Sequence, residues 1–122
     1  MSKPQTITVD DVAYVRADSV SEKAESKDGM DYCIVRTYSA GVFAGYIESR
    51  NGKEVVMRSA RRLWYWKGAA SLSQLSMEGT SKPKECKFPV EVDKVILTEA
   101  VEILDVTAKA KKSILGVSVW KS

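Results

Sequence analysis

The feature that most constrains the fold of this chain is the dipeptide Asn51-Gly52, which stands between two strand-like segments. Asn-Gly is the preferred centre of a two-residue type I′ turn, whose twist matches that of antiparallel strands. Residues 42–48 before it and residues 53–58 after it carry the branched, aromatic and other apolar residues that favour strands. The sequence therefore predicts a β-hairpin here.

Strand patterning extends on both sides of this hairpin. Residues 30–38 alternate between two faces, and Ser39-Ala40-Gly41 supplies a turn, so residues 30–58 predict a three-stranded antiparallel meander. Further strands are predicted over residues 61–66, 87–98, 101–106 and 117–120.

Two short helices are predicted from their caps. Ser71 and Gln74 have capping-box spacing ahead of a helix over residues 72–78, and Thr107 is positioned to cap a helix over residues 108–115. The fold class is therefore mainly β, a β-rich α+β protein: a curved antiparallel sheet or small barrel with one or two short helices.

The chain of 122 residues is long enough for one hydrophobic core, and we expect a single domain over residues 1–122. Within it, residues 1–29 are predicted to form an N-terminal hairpin and loop, and residues 30–122 the β-rich core. The hairpin is placed at residues 7–15, around Asp10-Asp11. A helix beginning at Asp10 is the alternative, and a proton-sharing carboxylate pair is a weaker one.

Composition argues against several functional classes. The chain has no histidine, which removes the commonest general base and metal ligand, so we expect no catalytic residue, metal or cofactor. Cys33 and Cys86 match no zinc or redox spacing, and two reduced thiols are expected rather than a disulfide. No segment has the pattern of a signal peptide or membrane span, which predicts a cytoplasmic protein without a membrane partner.

The positive charge is concentrated locally. The net charge is only +3, but residues 61–71 combine cations, aromatic rings and small residues ahead of a helix. Guanidinium groups bind phosphate oxygens, indole rings stack on bases, and a helix N-terminus favours anions. The segment predicts a nucleotide-phosphate site whose candidate ligand-binding residues are Arg61, Arg62, Trp64, Trp66, Lys67, Gly68, Ala69 and Ser71.

The competing interpretation of the aromatic run is packing in the core or at an interface. Both interpretations can hold if one face of the strand packs and the other binds the ligand. Alternation would place Trp64 and Trp66 on the same face. A second candidate patch, Arg36, Tyr38 and Ser39, lies near the first predicted turn, although any β-turn looks similar.

Two segments, Val35-Arg36-Thr37-Tyr38-Ser39-Ala40-Gly41-Val42 and Ala60-Arg61-Arg62-Leu63-Trp64-Tyr65-Trp66-Lys67-Gly68-Ala69, resemble the first family of phage-encoded Thoeris anti-defence proteins. The resemblance extends over residues 32–120. It implies a β-rich homo-oligomer, a dimer or higher, in the host bacterial cytoplasm, which sequesters a cyclic nucleotide immune signal, glycocyclic ADP-ribose, without cleaving it.

The resemblance makes the leading hypothesis an inhibitor of anti-phage defence that lowers the free concentration of this signal. Two alternatives from other classes stay open: a small phage structural or assembly protein that uses the aromatic cluster as an interface, and a nucleic-acid-binding module. The latter normally needs a longer basic track than residues 58–67 provide, so nucleic acid is the less expected partner. An enzyme is the least expected class.

Overall fold

The computed structural model describes residues 22–121. In chain order the elements are β1 (Asp31–Thr37), β2 (Val42–Asn51), β3 (Glu54–Arg62), α1 (Leu72–Glu78), a 3-10 turn (Pro83–Glu85), β4 (Val92–Leu97), β5 (Ala100–Asp105) and α2 (Ala108–Gly116). The hairpin predicted over residues 7–15 lies outside the described residues. No helix within residues 22–121 is both long and apolar enough to cross a membrane.

The five strands form one antiparallel sheet in the order β4-β3-β2-β1-β5. The two edge strands follow one another in the chain, separated only by Thr98 and Glu99. In a flat sheet, strands about 4.8 Å apart would place the edges about 19 Å from each other, whereas Leu97 and Ala100 are joined by a chain that spans about 11 Å at most. The sheet must therefore be strongly curved.

Main-chain hydrogen bonds fix the crossing between the two edges. The Ala100 amide donates to the Lys53 carbonyl at 3.0 Å, and the Tyr38 amide donates to the Glu99 carbonyl at 3.0 Å. Strands β4 and β5 do not pair with each other, so the sheet stays open. The prediction of a curved antiparallel sheet with two short helices is confirmed, and the alternative of a closed barrel is not formed.

The β2–β3 hairpin is present, but its turn is centred one residue later than predicted. Asn51 pairs with Glu54, which leaves Gly52 and Lys53 as the loop. Gly52 has a φ of 62°, whereas Asn51 and Lys53 do not have positive φ. Glycine at the first central position alone is the pattern of a type II′ turn. The prediction of a type I′ turn centred on Asn51-Gly52 was wrong.

A β-bulge in β3 contributes to the curvature. Opposite the stretch from Ala44 to Tyr46, β3 uses one residue more than β2, and Ser59 takes up the difference with a φ of 50°. Gly45 makes room for this bulge, since a Cβ atom there would lie 2.8 Å from the Cα atom of Ala60. The close approach of the two strands thus requires glycine at position 45.

The sheet buries apolar side chains on both faces. One face packs against the helices and the 86–88 segment, around the fully buried side chains of Ile34, Leu75 and Phe88. The buried cluster on the other face contains only strand residues, with Val35, Val55 and Met57 fully buried. Curvature explains this second cluster, because side chains on a concave face pack against one another.

Several predicted strands have different bounds. Strand β3 runs unbroken through residues 59–60, where the sequence predicted an interruption, and ends at Arg62 rather than at residue 66. The predicted strand 87–98 is regular only over Val92–Leu97, and 101–106 is shifted by one residue to Ala100–Asp105. Residues 117–120 contribute a single bridge between Phe88 and Val119 instead of a strand.

Both helices are confirmed together with their caps. The amide of Gln74 donates to Ser71 Oγ at 3.1 Å, and Gln74 Oε1 accepts from the Ala70 amide at 2.7 Å. Thr107 Oγ1 accepts from the Ala110 amide at 3.0 Å. The short-range rules of helix capping were sufficient to find these elements.

Candidate functional site

Arg61 is placed in the core and not on the surface. Its side chain is 4% exposed, and its guanidinium donates to the carbonyls of Phe88 (3.0 Å), Pro89 (3.0 Å) and Ile114 (2.9 Å). The same group lies 5.4 Å from the centre of the Phe88 ring. Burial lowers the pKa of Arg61 from its usual value. These contacts make Arg61 a clamp between β3, the 88–89 segment and α2, and they contradict its predicted role as a phosphate ligand.

The small residues ahead of α1 also face the protein itself. Gly68 has a φ of 86°, and a Cβ atom there would lie 2.5 Å from the backbone nitrogen of Lys82. The Gly68 carbonyl accepts from the Ser81 amide at 3.2 Å, and Ala69 packs against the helix-side core. Ser71 caps the helix. The backbone at Gly68 is therefore in close contact with the 80–82 loop, which occupies the space that the prediction of Gly68 as a ligand-binding residue assigned to a ligand.

The two tryptophans differ in exposure. Trp64 is 63% exposed, whereas Trp66 is partly buried and packs against the helix-side core. The regular strand ends at Arg62, so the strict alternation on which the prediction of a shared face for Trp64 and Trp66 depends does not extend to these residues. Trp64 is the ring available for stacking.

Lys67 is exposed and lies 4.0 Å from Glu85, measured from its Nζ to Oε1. The Lys67 carbonyl accepts from the Thr80 hydroxyl. An exposed pair of this length is weak, and a phosphate could replace the carboxylate. Lys67 thus remains chemically able to bind an anion.

The second candidate patch lies where β1 turns into β2. Tyr38 is 81% exposed, while Arg36 Nε donates to Glu102 Oε1 at 2.8 Å and Ser39 Oγ donates to Glu99 Oε1 at 2.5 Å. Arg36 and Ser39 thus each have a carboxylate partner, on β5 and in the β4–β5 connection. Tyr38 is the member of the patch whose side chain is open to a ligand.

Pairing of β2 with β3 brings the two candidate segments together. The Leu63 amide donates to the Val42 carbonyl at 2.8 Å, and Arg62 pairs with Phe43. The Arg62 guanidinium lies 4.6 Å from the centre of the Phe43 ring. Arg62 and Trp64 are both exposed, and the segment that carries them is paired with the start of β2, directly after the β1–β2 turn. We call Tyr38, Arg62 and Trp64 the Arg62 surface.

A second cluster of cations and rings was missed by the sequence reasoning. Tyr65 and Lys87 form a backbone bridge, and Lys87 Nζ lies 5.6 Å from the centre of the Tyr65 ring and 5.7 Å from that of Trp120. Both rings are partly exposed, at 41% and 38%. The only signal in the sequence was the aromatic character of Tyr65 and Trp120, which lie 55 positions apart.

Beside this cluster lies a surface cleft of about 620 Å³, which we call the Trp120 cleft. Its lining residues are Pro83, Lys84, Cys86, Gly116, Ser118, Val119, Trp120 and Lys121. The lining contains two lysines and no carboxylate. Among residues 22–121, the charged side chains that line the Trp120 cleft are thus all positive, whereas Arg58 shares another cleft with Asp28, Glu48 and Asp93.

Comparison with known families gives one match. The model of a domain of unknown function, DUF6948, matches residues 30–114. The chain belongs to the DUF6948 family. No curated protein and no solved structure matches this chain. The DUF6948 region includes the whole Arg62 surface and Lys87, whereas Trp120 lies beyond the matched residues.

The pKa shifts of Asp31, Glu48 and Cys33 favour neither a carboxylic acid that donates a proton nor a reactive thiolate. Hydrogen bonds from Ser26 and then Lys23 lower the pKa of Asp31, and a hydrogen bond from Arg58 lowers the pKa of Glu48. Burial raises the pKa of Cys33 to about 12. General acids and nucleophiles need shifts in the opposite directions. Residues 22–121 also contain no group of three side chains suited to hold a metal ion.

Proposed function

We propose that this protein binds and sequesters a cyclic nucleotide immune signal, glycocyclic ADP-ribose, without cleaving it, and so blocks Thoeris anti-phage defence. The observation that carries the proposal is the Arg62 surface. The two segments that resemble the Thoeris anti-defence family are joined by backbone pairing of residues 42–43 with residues 62–63, and they carry the exposed side chains Tyr38, Arg62 and Trp64.

The chemistry of this surface fits a nucleotide. An indole that is 63% exposed offers a flat face for adenine, and stacking of this kind contributes about 1–3 kcal/mol per base. Arg62 carries a guanidinium that can bind two phosphate oxygens at once. Its side chain rests on the Phe43 ring, which holds the charge in place before a ligand arrives. Lys67 can add a further positive charge.

Binding without cleavage is supported by the chemistry of the chain. Hydrolysis of a pyrophosphate or glycosidic bond needs a general base, a general acid or a metal ion. The chain has no histidine, and the carboxylates with shifted pKa values, Asp31 and Glu48, are shifted towards the ionised form. A ligand held by Arg62 and Trp64 would leave intact.

We place this activity in the host cytoplasm and in a homo-oligomer. Sequestration works by mass action, so the protein must be present at a concentration comparable to that of the signal and bind it tightly. A small phage structural or assembly protein is the second candidate function. It is favoured by the exposed apolar side chains Val92 and Ile96 on edge strand β4, at 41% and 52% exposure, because such a surface suits contact with another protein.

The test is capture and release. The purified protein is incubated with the nucleotide fraction of cells in which a Thoeris system has been activated, filtered, and denatured by heat, and the released material is analysed by mass spectrometry. The proposal expects intact glycocyclic ADP-ribose. A cleaved product would show an enzyme, and no released nucleotide would favour the structural alternative.

Variants locate the site. Trp64→Ala should weaken binding by about 5- to 150-fold, the equivalent of one stacked base, and Arg62→Ala should weaken it by at least as much as a charged hydrogen bond contributes. Arg50→Ala is the matched control, because Arg50 is an exposed arginine outside the Arg62 surface whose Nε donates to the Gly52 carbonyl at 3.4 Å. The affinities of the three variants are measured by calorimetric titration. Equal affinities would show that the site lies elsewhere.

A further inference from the structure

Within residues 22–121, the lysines of the Trp120 cleft form no ion pair with a carboxylate. Lys84 and Lys121 line the cleft and Lys87 lies at its aromatic wall. None of the ion pairs within residues 22–121 involves any of these three residues. The acid nearest in sequence, Glu85, is paired with Lys67 instead and does not line the cleft. Two lysines without an ion pair thus line the cleft, and a third lies beside its tryptophan ring.

The aromatic wall is fixed by backbone contacts. The Trp120 amide donates to the Phe88 carbonyl at 3.0 Å, and Val119 bridges to Phe88, whose side chain is fully buried. The Trp120 ring is therefore attached to the core through its backbone while its face stays partly open. A preformed ring of this kind binds a flat partner at a smaller cost in conformational entropy.

The lysines and the tryptophan of the cleft together favour one chemical class of ligand. Unpaired lysines attract anions, a tryptophan face attracts a flat aromatic ring, and a volume of about 620 Å³ is in the usual range for small-molecule sites. We infer that the Trp120 cleft is a second binding site, for a small nucleotide whose base stacks on Trp120 and whose phosphates contact Lys84, Lys87 and Lys121. It shares no residue with the Arg62 surface, so it neither requires nor repeats the proposed function.

Titration calorimetry with ADP and with inorganic pyrophosphate tests the inference. The full chain should bind ADP at least about tenfold more tightly than pyrophosphate, because pyrophosphate cannot stack. Trp120→Ala and the double variant Lys84→Ala/Lys121→Ala should each weaken ADP binding by about tenfold or more. Lys109→Ala, which changes an exposed lysine of α2 outside the cleft, should have no effect.

Further variants separate this site from the Arg62 surface and from misfolding. Trp64→Ala should retain ADP binding at the Trp120 cleft even though the proposed signal site is lost. Trp120→Phe keeps a flat ring and should recover most of the affinity that Trp120→Ala loses. Melting curves of each variant identify any that fail to fold. If Trp120→Ala is one of them, the ADP affinity of the lysine double variant tests the site instead.

Four results would overturn the inference. They are the absence of ADP binding, equal affinities for ADP and pyrophosphate, unchanged ADP affinity in both the Trp120→Ala and the lysine variants, and tighter binding of a ten-nucleotide single-stranded RNA than of ADP. The last result would identify a nucleic-acid surface rather than a small-molecule site. If the unmodified protein bound ADP but not glycocyclic ADP-ribose, the proposed function would be refuted and the inference about the Trp120 cleft would stand.

Discussion

Replacing Arg61 should destabilise the protein far more than replacing its neighbour Arg62. The Arg61 guanidinium makes three hydrogen bonds of 2.9–3.0 Å to the carbonyls of Phe88, Pro89 and Ile114. Each bond contributes about 1–1.5 kcal/mol net. Arg61→Ala removes all three and leaves their acceptors buried, so the free energy of unfolding should fall by about 3–5 kcal/mol.

The expected loss is a large part of the stability of a domain, which is about 5–15 kcal/mol in total. It should lower Tm by about 10–20 °C. Arg62→Ala is the matched control: Arg62 is exposed and its guanidinium rests on one ring, so its loss should cost about 1 kcal/mol or less. Arg61→Lys should recover only part of the stability, because one ammonium cannot reproduce the planar fork of the guanidinium.

Circular dichroism during thermal and urea denaturation measures both quantities. Equal midpoints for Arg61→Ala and Arg62→Ala would refute the clamp and reopen the interpretation of Arg61 as a ligand-binding residue. Binding should be measured only on the fraction of Arg61→Ala that is folded, since a loss of affinity in a partly unfolded sample has no bearing on the site.

Three further predictions concern the turn, acid stability and assembly. Gly52→Val should lower the free energy of unfolding by about 1–2 kcal/mol, because a β-branched residue is strained at a φ of 62°; an unchanged urea midpoint would argue against this turn geometry. The pKa of Asp31 is lowered in the folded state, so its contribution to stability exists at neutral pH and is lost as pH falls below about 4. Asp31→Asn should therefore lower Tm more at pH 7 than at pH 2, and equal losses of Tm at both pH values would contradict this. Light scattering should give a mass several times the 13.5 kDa of one chain, and a monomer at micromolar concentration would count against the homo-oligomer.

Local rules gave much of the fold from the sequence. The caps at Ser71 and Thr107 depend on residues three positions apart, and the hairpin after Asn51 depends on a single glycine. The bounds of several strands were predicted wrongly where contacts with other parts of the chain determine them. Strand β3 continues through Ser59 because Gly45 on the neighbouring strand leaves room for a bulge, which no pattern within β3 records.

The candidate site was less predictable for the same reason. Arg61 and Arg62 are adjacent and chemically identical, yet only Arg61 meets carbonyls that lie 27, 28 and 53 positions away. The Trp120 cleft joins residues 83–86 to residues 116–121. Sequence reasoning found the segment that carries the chemistry, but the division of its residues between core and surface depends on packing.

The crossing of Thr98 and Glu99 from one edge of the sheet to the other has a consequence for how the chain folds as it is synthesised. Strand β1 forms its second set of backbone bonds with β5, and Cys33 meets Asp105 across 72 positions. The β1–β2–β3 meander can form early, but one edge of its first strand stays unpaired until almost the whole family domain has left the ribosome. Completion of the sheet is therefore a late step, and a chain interrupted after Leu97 would expose the bare edge of β1 to pairing with other chains.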